Sequence, residues 1–99
     1  MQLQGKFQGK IALVTGGSRG MGREMVRAFA AEGADVVIAS RKLANCQQVA
    51  DEVTTQYGIR ALPVEVNVSD WDACGALVDQ VYDKFGQIDI LVNNAGLSP

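Results

Sequence analysis

The sequence predicts an α/β protein in which helices alternate with the strands of a doubly wound parallel sheet. Four short apolar runs are typical of strands, namely residues 11–14, 36–39, 61–66 and 88–92. The segments between them have helical length, and Gly33, Gly58 and Gly86 stand where each segment ends. Strands that alternate with helices of this length build right-handed βαβ units, which form a parallel sheet.

The first helix is predicted over residues 21–32, after the strand at residues 11–14. We expect it to bury one apolar face, formed by Met21, Met25, Ala28 and Phe29. Arg23 and Arg27 lie on the opposite, polar face and are expected to be plain surface charges.

The second strand and helix follow the same pattern. Residues 36–39 form a continuous apolar run, which is typical of a strand covered on both faces. The helix predicted over residues 43–57 has an apolar stripe at three- and four-residue spacing, formed by Leu43, Cys46, Ala50, Val53 and Tyr57.

The third strand is predicted at residues 61–66, with Pro63 near its start, where a missing hydrogen-bond donor costs least. Ser69 and Asp72 match a capping box that would begin the third helix. We expect this helix to turn six residues inward, namely Cys74, Leu77, Val78, Val81, Tyr82 and Phe85. Residues 88–92 predict the fourth strand.

Composition excludes several classes of function. The 99 residues, 47% of them hydrophobic, suit one small domain, and a net charge of −2 gives no field that favours nucleic acid or an anionic membrane. The chain has no histidine, so neither a zinc site nor a serine–histidine nucleophile is predicted. Two cysteines without metal-type spacing, and no signal peptide or bilayer-spanning run, lead us to expect a cytoplasmic protein.

A nucleotide site is predicted at residues 15–22, whose sequence is TGGSRGMG. Backbone N–H groups in a glycine-rich turn between a strand and a helix can hold a pyrophosphate. Gly16 would allow the tight turn, Gly20 the close approach of backbone to phosphate, and Gly22 the close packing of helix on strand. The alternative is a turn without a ligand.

The residues after the second strand favour NADP(H) over NAD(H). A Rossmann-type domain that prefers NAD usually places an acid there, which hydrogen-bonds the ribose 2′-hydroxyl. This chain has Ser40, followed by Arg41 and Lys42. A guanidinium binds a 2′-phosphate bidentately, and Arg19 would point toward the same ribose. The alternative is that Arg41 and Lys42 only solvate the beginning of a helix.

Two motifs resemble those of a known family. Residues 15–22 resemble the TGxxxGxG cofactor motif of the short-chain dehydrogenases/reductases, and residues 93–96, with the sequence NNAG, are similar to a second motif of that family. The motifs stand at the family's usual separation, and the resemblance covers essentially the whole chain. It implies that residues 1–99 are the N-terminal part of a Rossmann-type NAD(P)-binding domain, truncated before the catalytic segment.

The resemblance also implies an activity, the transfer of a hydride between NADP(H) and a carbonyl or alcohol substrate. The family's Tyr-x-x-x-Lys pair lies beyond the NNAG motif, and neither Tyr57 nor Tyr82 has a lysine four residues on, so no catalytic residue is predicted. Substrate binding and homo-oligomer formation are expected only in a full-length form. The alternatives are a stand-alone nucleotide-binding module and an inactive truncated fragment, which would aggregate because its fourth strand lacks a covering helix.

The cofactor-binding residues that we expect follow the strands. Asn67 and Val68 stand where family members usually have Asp-Val, so Asn67 would accept a hydrogen bond from the adenine amino group and Val68 would contact the ring; the alternative is a turn asparagine. Asn93 is expected to tie the central strands together. The full predicted set is Gly16, Ser18, Arg19, Gly20, Met21, Gly22, Ser40, Arg41, Asn67, Val68, Asn94, Ala95 and Gly96.

Overall fold

The strands and helices of the protein alternate as the sequence predicts. A computed structural model describes residues 5–94. Its elements are β1 (Ile11–Thr15), α1 (Gly20–Ala31), β2 (Asp35–Ser40), α2 (Leu43–Tyr57), β3 (Ala61–Glu65), α3 (Trp71–Phe85) and β4 (Ile90–Asn93). All the strand pairs are parallel, and the strand order is β3-β2-β1-β4. The doubly wound parallel sheet is therefore confirmed, and its strand order changes direction at β1.

Helices cover both faces of the sheet. α1 and α2 pack on one face, against Ala12, Val14, Val36 and Ile38, which are all fully buried. α3 packs on the other face, where Leu77 and Val81 meet the alternate residues of β1 and β2. None of the helices within residues 5–94 is both long and apolar enough to cross a membrane.

The buried face of α1 differs from the prediction by one position. Gly22, Val26 and Ala30 are buried, whereas Met21 is 65% exposed and Ala28 is exposed. Gly22 brings the first turn of the helix against the end of β1, and the residues four and eight positions later therefore face the sheet. Phe29 is half-buried and packs against the core as predicted, and Met25 is half-buried. The prediction was wrong for Met21 and Ala28, because it followed side-chain hydrophobicity and did not count glycine as a contact residue.

Arg23 and Arg27 are not plain surface charges. Arg23 Nη2 lies 2.6 Å from Glu52 Oε2 on α2, and Arg27 Nη1 lies 3.6 Å from the other oxygen of that carboxylate. The pairs connect the two helices that cover one face of the sheet. All three side chains are about one-third exposed, so each pair stabilises the fold by no more than about 1 kcal/mol.

The apolar stripe predicted for α2 is largely confirmed. Cys46, Ala50 and Val53 are buried, and Val49 joins them. Leu43 is the exception, because it is the first residue of the helix and is 45% exposed.

Pro63 lies in the middle of β3, not near its start. Val66 N, three residues later, donates to Ser40 O on β2. Because N–H groups alternate in direction along a strand, the Pro63 nitrogen points away from β2. β3 is the outermost strand of the described sheet on this side, so no ladder hydrogen bond is lost.

Fewer residues of α3 are buried than the sequence predicts. Leu77 and Val81 are buried, but Val78 is 39% and Tyr82 is 50% exposed, while Cys74 and Phe85 are half-buried. The stripe was drawn too wide, because α3 is the only described helix on its face of the sheet and has no neighbouring helix to cover its flank.

Asp70, and not Ser69, caps the beginning of α3. Its carboxylate accepts a hydrogen bond from Ala73 N at 3.1 Å. The Ser69 hydroxyl instead donates to Asn67 Oδ1 at 2.7 Å. The predicted Ser69–Asp72 capping box is therefore wrong by one residue, because the Ser69 side chain is already used within the loop that follows β3.

Asp89 joins β4 to β1 at the amino-terminal edge of the sheet. Its carboxylate accepts hydrogen bonds from Ile11 N at 2.8 Å and from Gln87 Nε2 at 2.7 Å. The backbone hydrogen bond from Ile11 lowers the pKa of Asp89 below 3.8, burial opposes this, and Gln87 and the positive charge of Lys10 add to the lowering. The folded protein thus favours the ionised carboxylate.

We expect Asp89→Asn to lower the free energy of unfolding at neutral pH and to make less difference in acid. A group whose pKa is lowered on folding stabilises the protein above its ordinary pKa, here 3.8, and this contribution is lost as the pH falls through the lowered value. Urea unfolding followed by circular dichroism between about pH 7 and about pH 3 measures the difference. Asp79→Asn, on the exposed face of α3, is the control. A wild-type advantage that stays constant over this range would contradict the prediction.

Candidate functional site

A cleft of about 1000 Å³ lies at the carboxyl-terminal edge of the sheet. It opens where the strand order changes direction, between β1 and its two neighbours. The loops that follow all four strands contribute to it. Its lining residues are Gly16, Ser18, Arg19, Gly20, Met21, Ser40, Arg41, Lys42, Asn45, Val66, Asn67, Val68, Ser69 and Asn94.

The structure brings together most of the residues predicted to bind the cofactor. Of that set, Gly22 alone among residues 5–94 does not line the cleft. The predicted positions Ala95 and Gly96 lie outside the described residues. The predicted set omits four further lining residues, Lys42, Asn45, Val66 and Ser69, although each lies within five residues of the end of β2 or β3, where lining residues are expected. Of these, the sequence indicates only Lys42, as a cation beside Arg41.

The glycine-rich loop exposes its backbone to the cleft. Gly16 and Gly20 have positive φ values of 68° and 59°, a conformation that glycine adopts without strain. A Cβ atom built on Gly20 would meet no atom within 4 Å, so this backbone borders open space. A ligand can therefore approach the peptide groups of the loop closely.

Gly22 sets the distance between α1 and the loop. A Cβ atom there would overlap the carbonyl oxygen of Gly16 and would lie 2.7 Å from Asn94 Nδ2. Gly22 thus has the packing role that the sequence predicts, and it positions the beginning of α1 beside the cleft without touching the open space itself.

Two helices begin at the cleft without a capping side chain. The N-cap residues of α1 and α2 are Arg19 and Lys42, and neither makes a side-chain hydrogen bond to its helix. Neither helix has an acidic residue in its first turn. The free N–H groups and the positive end of the helix dipole at these positions favour an anion.

Three cations border the cleft, namely Arg19, Arg41 and Lys42. All three side chains are exposed, and none takes part in the ion pairs found between residues 5 and 94. No aspartate or glutamate among residues 5–94 lines the cleft. Its described surface is therefore positive, and it offers no carboxylate to a ribose hydroxyl.

Ser40 organises the turn that carries Arg41. Its hydroxyl accepts a hydrogen bond from Lys42 N at 3.3 Å and lies 2.9 Å from the sulfur of Cys46. Cys46 is fully buried and also contacts the carbonyl oxygen of Val64 at 3.7 Å. The turn between β2 and α2 is therefore anchored to the core beneath it.

Asn67 lines the cleft, and its amide oxygen is hydrogen-bonded within the loop that follows β3. Oδ1 accepts hydrogen bonds from Ser69 N at 3.1 Å and from Ser69 Oγ at 2.7 Å. A carbonyl oxygen has two lone pairs, and both are used here. The predicted hydrogen bond from an adenine amino group to this oxygen would therefore have to replace one of the two bonds from Ser69.

Thr15 joins the ends of β1 and β4 beside the cleft. Its hydroxyl donates to Asn93 Oδ1 at 3.1 Å and accepts from Asn94 N at 3.1 Å. Asn94 Nδ2 in turn donates to Gly16 O at 3.4 Å. The predicted tie through Asn93 is present, and it extends through Asn94 to the glycine-rich loop.

No metal site is formed by the described part of the chain. Within residues 5–94, no three histidine, cysteine, aspartate or glutamate side chains come together as ligands. The polar groups of the cleft are N–H donors, guanidinium and ammonium groups, hydroxyls and amides. This set suits a phosphorylated ligand.

Comparisons with known proteins agree with this geometry. A family profile described as short chain dehydrogenase matches residues 10–99. A short chain dehydrogenase from Pseudocercospora fijiensis is 42% identical over 97 residues, which cover 98% of this chain and 31% of the relative. The 3-oxoacyl-[acyl-carrier-protein] reductase of Aquifex aeolicus is 38% identical over 93 residues, which cover 94% of this chain and 38% of the relative. The chain thus spans about a third of the length of these relatives.

Solved structures show the same fold. L-sorbose reductase from Gluconobacter frateurii, in a complex with NADPH and L-sorbose, superimposes with a TM-score of 0.89 at 37% identity, over 95% of this chain and 36% of that chain. A metagenomic short-chain oxidoreductase in complex with NADP has a TM-score of 0.81 at 32% identity, over 86% and 38% of the two chains.

We expect Gly22→Ala to destabilise the protein by about 1–3 kcal/mol, because the added methyl group overlaps a backbone oxygen that cannot move away as a side chain would. Gly75→Ala in α3 is the control, since its Cβ would meet nothing within 4 Å. The control should gain about 0.5–1 kcal/mol from the helix preference of alanine. Urea unfolding measures both changes, and two stabilised variants would show that Gly22 does not limit the approach of α1.

Thr15→Val tests the connection between β1 and β4. It leaves Asn94 N and Asn93 Oδ1 without their partner in a region where Thr15 is 7% exposed, so we expect a loss of about 1–3 kcal/mol. The same substitution at the exposed Thr55 of α2 should change stability by less than about 0.5 kcal/mol. Equal effects of the two substitutions on urea unfolding would argue against the tie.

Proposed function

This chain belongs to the short-chain dehydrogenase/reductase family, and on that premise we propose that its cleft binds NADP(H) as the cofactor site of an oxidoreductase. The observation that carries the proposal is the combination of bare backbone at Gly20 with exposed cations after β2 that form no ion pair within residues 5–94. The first suits a pyrophosphate and the second a 2′-phosphate. A dinucleotide needs both at one cleft.

The pyrophosphate would lie against the beginning of α1. Gly20 leaves open space where a side chain would stand, and the first N–H groups of the helix have no capping side chain. A ligand phosphate supplies the negative charge that this helix terminus lacks. The dinucleotide cleft of doubly wound sheets has the same place in the fold, at the switch in strand order.

The 2′-phosphate would meet Arg41, with Arg19 on the facing loop and Lys42 beside it. A guanidinium binds phosphate through paired, charge-assisted hydrogen bonds, and none of the three cations has an ion-pair partner within residues 5–94. The described lining of the cleft has no carboxylate to hold the ribose hydroxyls of NAD(H) or to repel a 2′-phosphate. Two structural neighbours hold NADPH and NADP, which supports the same preference.

The chain spans about a third of the length of its relatives. For a full-length form, we propose hydride transfer to or from a small carbonyl or alcohol compound. Bound NADPH would supply the hydride. The role of the residues described here is to hold and orient the cofactor. Neither tyrosine within residues 5–94 lines the cleft, so neither is proposed as the acid for a carbonyl oxygen. A cytoplasmic location and a homo-oligomeric full-length form belong to the same proposal.

We expect Arg41→Asp to raise the dissociation constant for NADPH by about tenfold to a hundredfold, because a charged hydrogen bond to phosphate contributes about 1.5–3 kcal/mol and the new carboxylate repels the phosphate. The constant for NADH, which lacks the 2′-phosphate, should change by less than about threefold. Isothermal titration calorimetry measures both constants.

Lys6→Asp is the matched control for this test. It makes the same change in net charge at an exposed residue just before β1, at the edge of the sheet opposite the cleft. It should leave both dissociation constants unchanged. Equal losses for NADPH and NADH in Arg41→Asp would mean that Arg41 does not contact the 2′-phosphate.

A further inference from the structure

Arg41 lies on the short turn between β2 and α2, and the backbone of that turn determines where its guanidinium can reach. The side chain is exposed and has no ion-pair partner within residues 5–94. On the strand side, Ser40 O accepts a hydrogen bond from Val66 N at 2.8 Å. On the helix side, Lys42 N donates to the Ser40 hydroxyl at 3.3 Å. The Ser40 side chain therefore closes the turn around Arg41.

The hydrogen atom of the Ser40 hydroxyl points toward Cys46. Lys42 N can only donate, so Ser40 Oγ accepts that bond and keeps its own hydrogen for another partner. Two acceptors are within reach, the Lys42 carbonyl oxygen at 3.4 Å and Cys46 Sγ at 2.9 Å. The carbonyl oxygen already accepts from Asn45 N at 3.1 Å and from Cys46 N at 3.3 Å, which uses both of its lone pairs. The shorter contact, to the sulfur, is the one that remains.

The thiol of Cys46 completes a directed series of hydrogen bonds into the core. A carbonyl oxygen can only accept, so the 3.7 Å contact between Cys46 Sγ and Val64 O requires the thiol to donate. Sulfur thus accepts from Ser40 and donates to β3, and the residue is fully buried. Because solvent does not reach a fully covered side chain, water cannot replace the thiol in this series.

We propose that Cys46 is a positioning residue, whose thiol holds the Ser40 hydroxyl and thereby keeps the turn in the conformation that directs Arg41 into the cleft. The inference rests on the proposed function, because it gives this thiol a share in the preference for a 2′-phosphate. If Cys46 acted only as a core side chain, it would contribute to stability and leave the choice of cofactor unchanged.

Cys46→Val removes the hydrogen bonds of the thiol and fills the same buried space with an apolar side chain. We expect the dissociation constant for NADPH to rise by about threefold to tenfold, the value of one hydrogen bond. The constant for NADH, which lacks the 2′-phosphate, should rise by less than about twofold. Isothermal titration calorimetry of the 99-residue chain measures both constants.

Val53→Ala is the matched control for Cys46→Val. Val53 is fully buried on the same helix, about two turns farther from the cleft. The substitution should lower the stability to urea and leave the ratio of the two dissociation constants unchanged. A loss of stability alone therefore does not imitate the expected result.

Two further variants separate hydrogen bonding from packing. Cys46→Ser keeps a group that accepts from Ser40, so its ratio of dissociation constants should stay within about twofold of the wild type. In a protein that already carries Ser40→Ala, Cys46→Val should leave the ratio unchanged, because the residue through which the thiol acts is gone. Circular dichroism checks that each variant is folded.

The infrared S–H stretching band tests the hydrogen bond from Ser40 directly. Cys74→Ala leaves Cys46 as the one thiol of the chain. In that protein, Ser40→Ala should shift the band, because the sulfur loses its donor. This measurement needs neither a cofactor nor a substitution at Cys46, and an unchanged band would overturn the inference.

The outcomes distinguish the inference from the proposed function. If neither cofactor binds to the wild-type chain, the proposed function fails and the inference fails with it. If both bind, equal changes of the two constants in Cys46→Val, or no change in either, overturn the inference and leave the proposed function intact. A loss in Cys46→Ser as large as that in Cys46→Val, or a full loss in the Ser40→Ala background, overturns it as well.

Discussion

Gly22 packs directly against the carbonyl group of Gly16, and the arrangement of the cleft depends on this close approach. It places the first turn of α1 beside the end of β1, so the N–H groups of the helix reach the same space as the glycine-rich loop. Asn94 contacts Gly16 from the side of β4, at 3.4 Å. Because the contact is between backbone groups, no rearrangement of side chains can relieve the steric overlap that a larger residue at position 22 would cause.

The charge of the cleft is opposite in sign to that of the whole chain. The chain carries a net charge of −2, yet the lining of the cleft within residues 5–94 includes three cations and no acid. Two acids away from the cleft are paired with cations of their own, Glu52 with Arg23 and Arg27 and Asp35 with Arg60. Attraction of an anion is therefore local to the cleft and acts over about one Debye length, not through the field of the molecule as a whole.

Much of the fold and of the cleft could be predicted from the sequence, because hydrophobic period and glycine position act locally along the chain. The element order and the lining roles of Gly20 and Arg41 follow from such signals. Three features could not be predicted, because they depend on tertiary contacts with residues distant in the fold or on hydrogen bonds within a loop. They are the burial of Val26 instead of Met25, the exposure of Tyr82 and the orientation of Asn67. The hydrophobic pattern of the sequence does not indicate a hydrogen bond such as that from Ser69 to Asn67.

The thiol of Cys46 is buried beneath the turn that carries Arg41, so its rate of alkylation reports on the movement of that turn. Cys46 is fully covered, so a thiol reagent can reach it only when α2 moves away from Ser40 and Val64. Cys74 is half-buried and reports ordinary accessibility in the same molecule. The ratio of the two alkylation rates therefore measures how often the segment around Arg41 separates from the core.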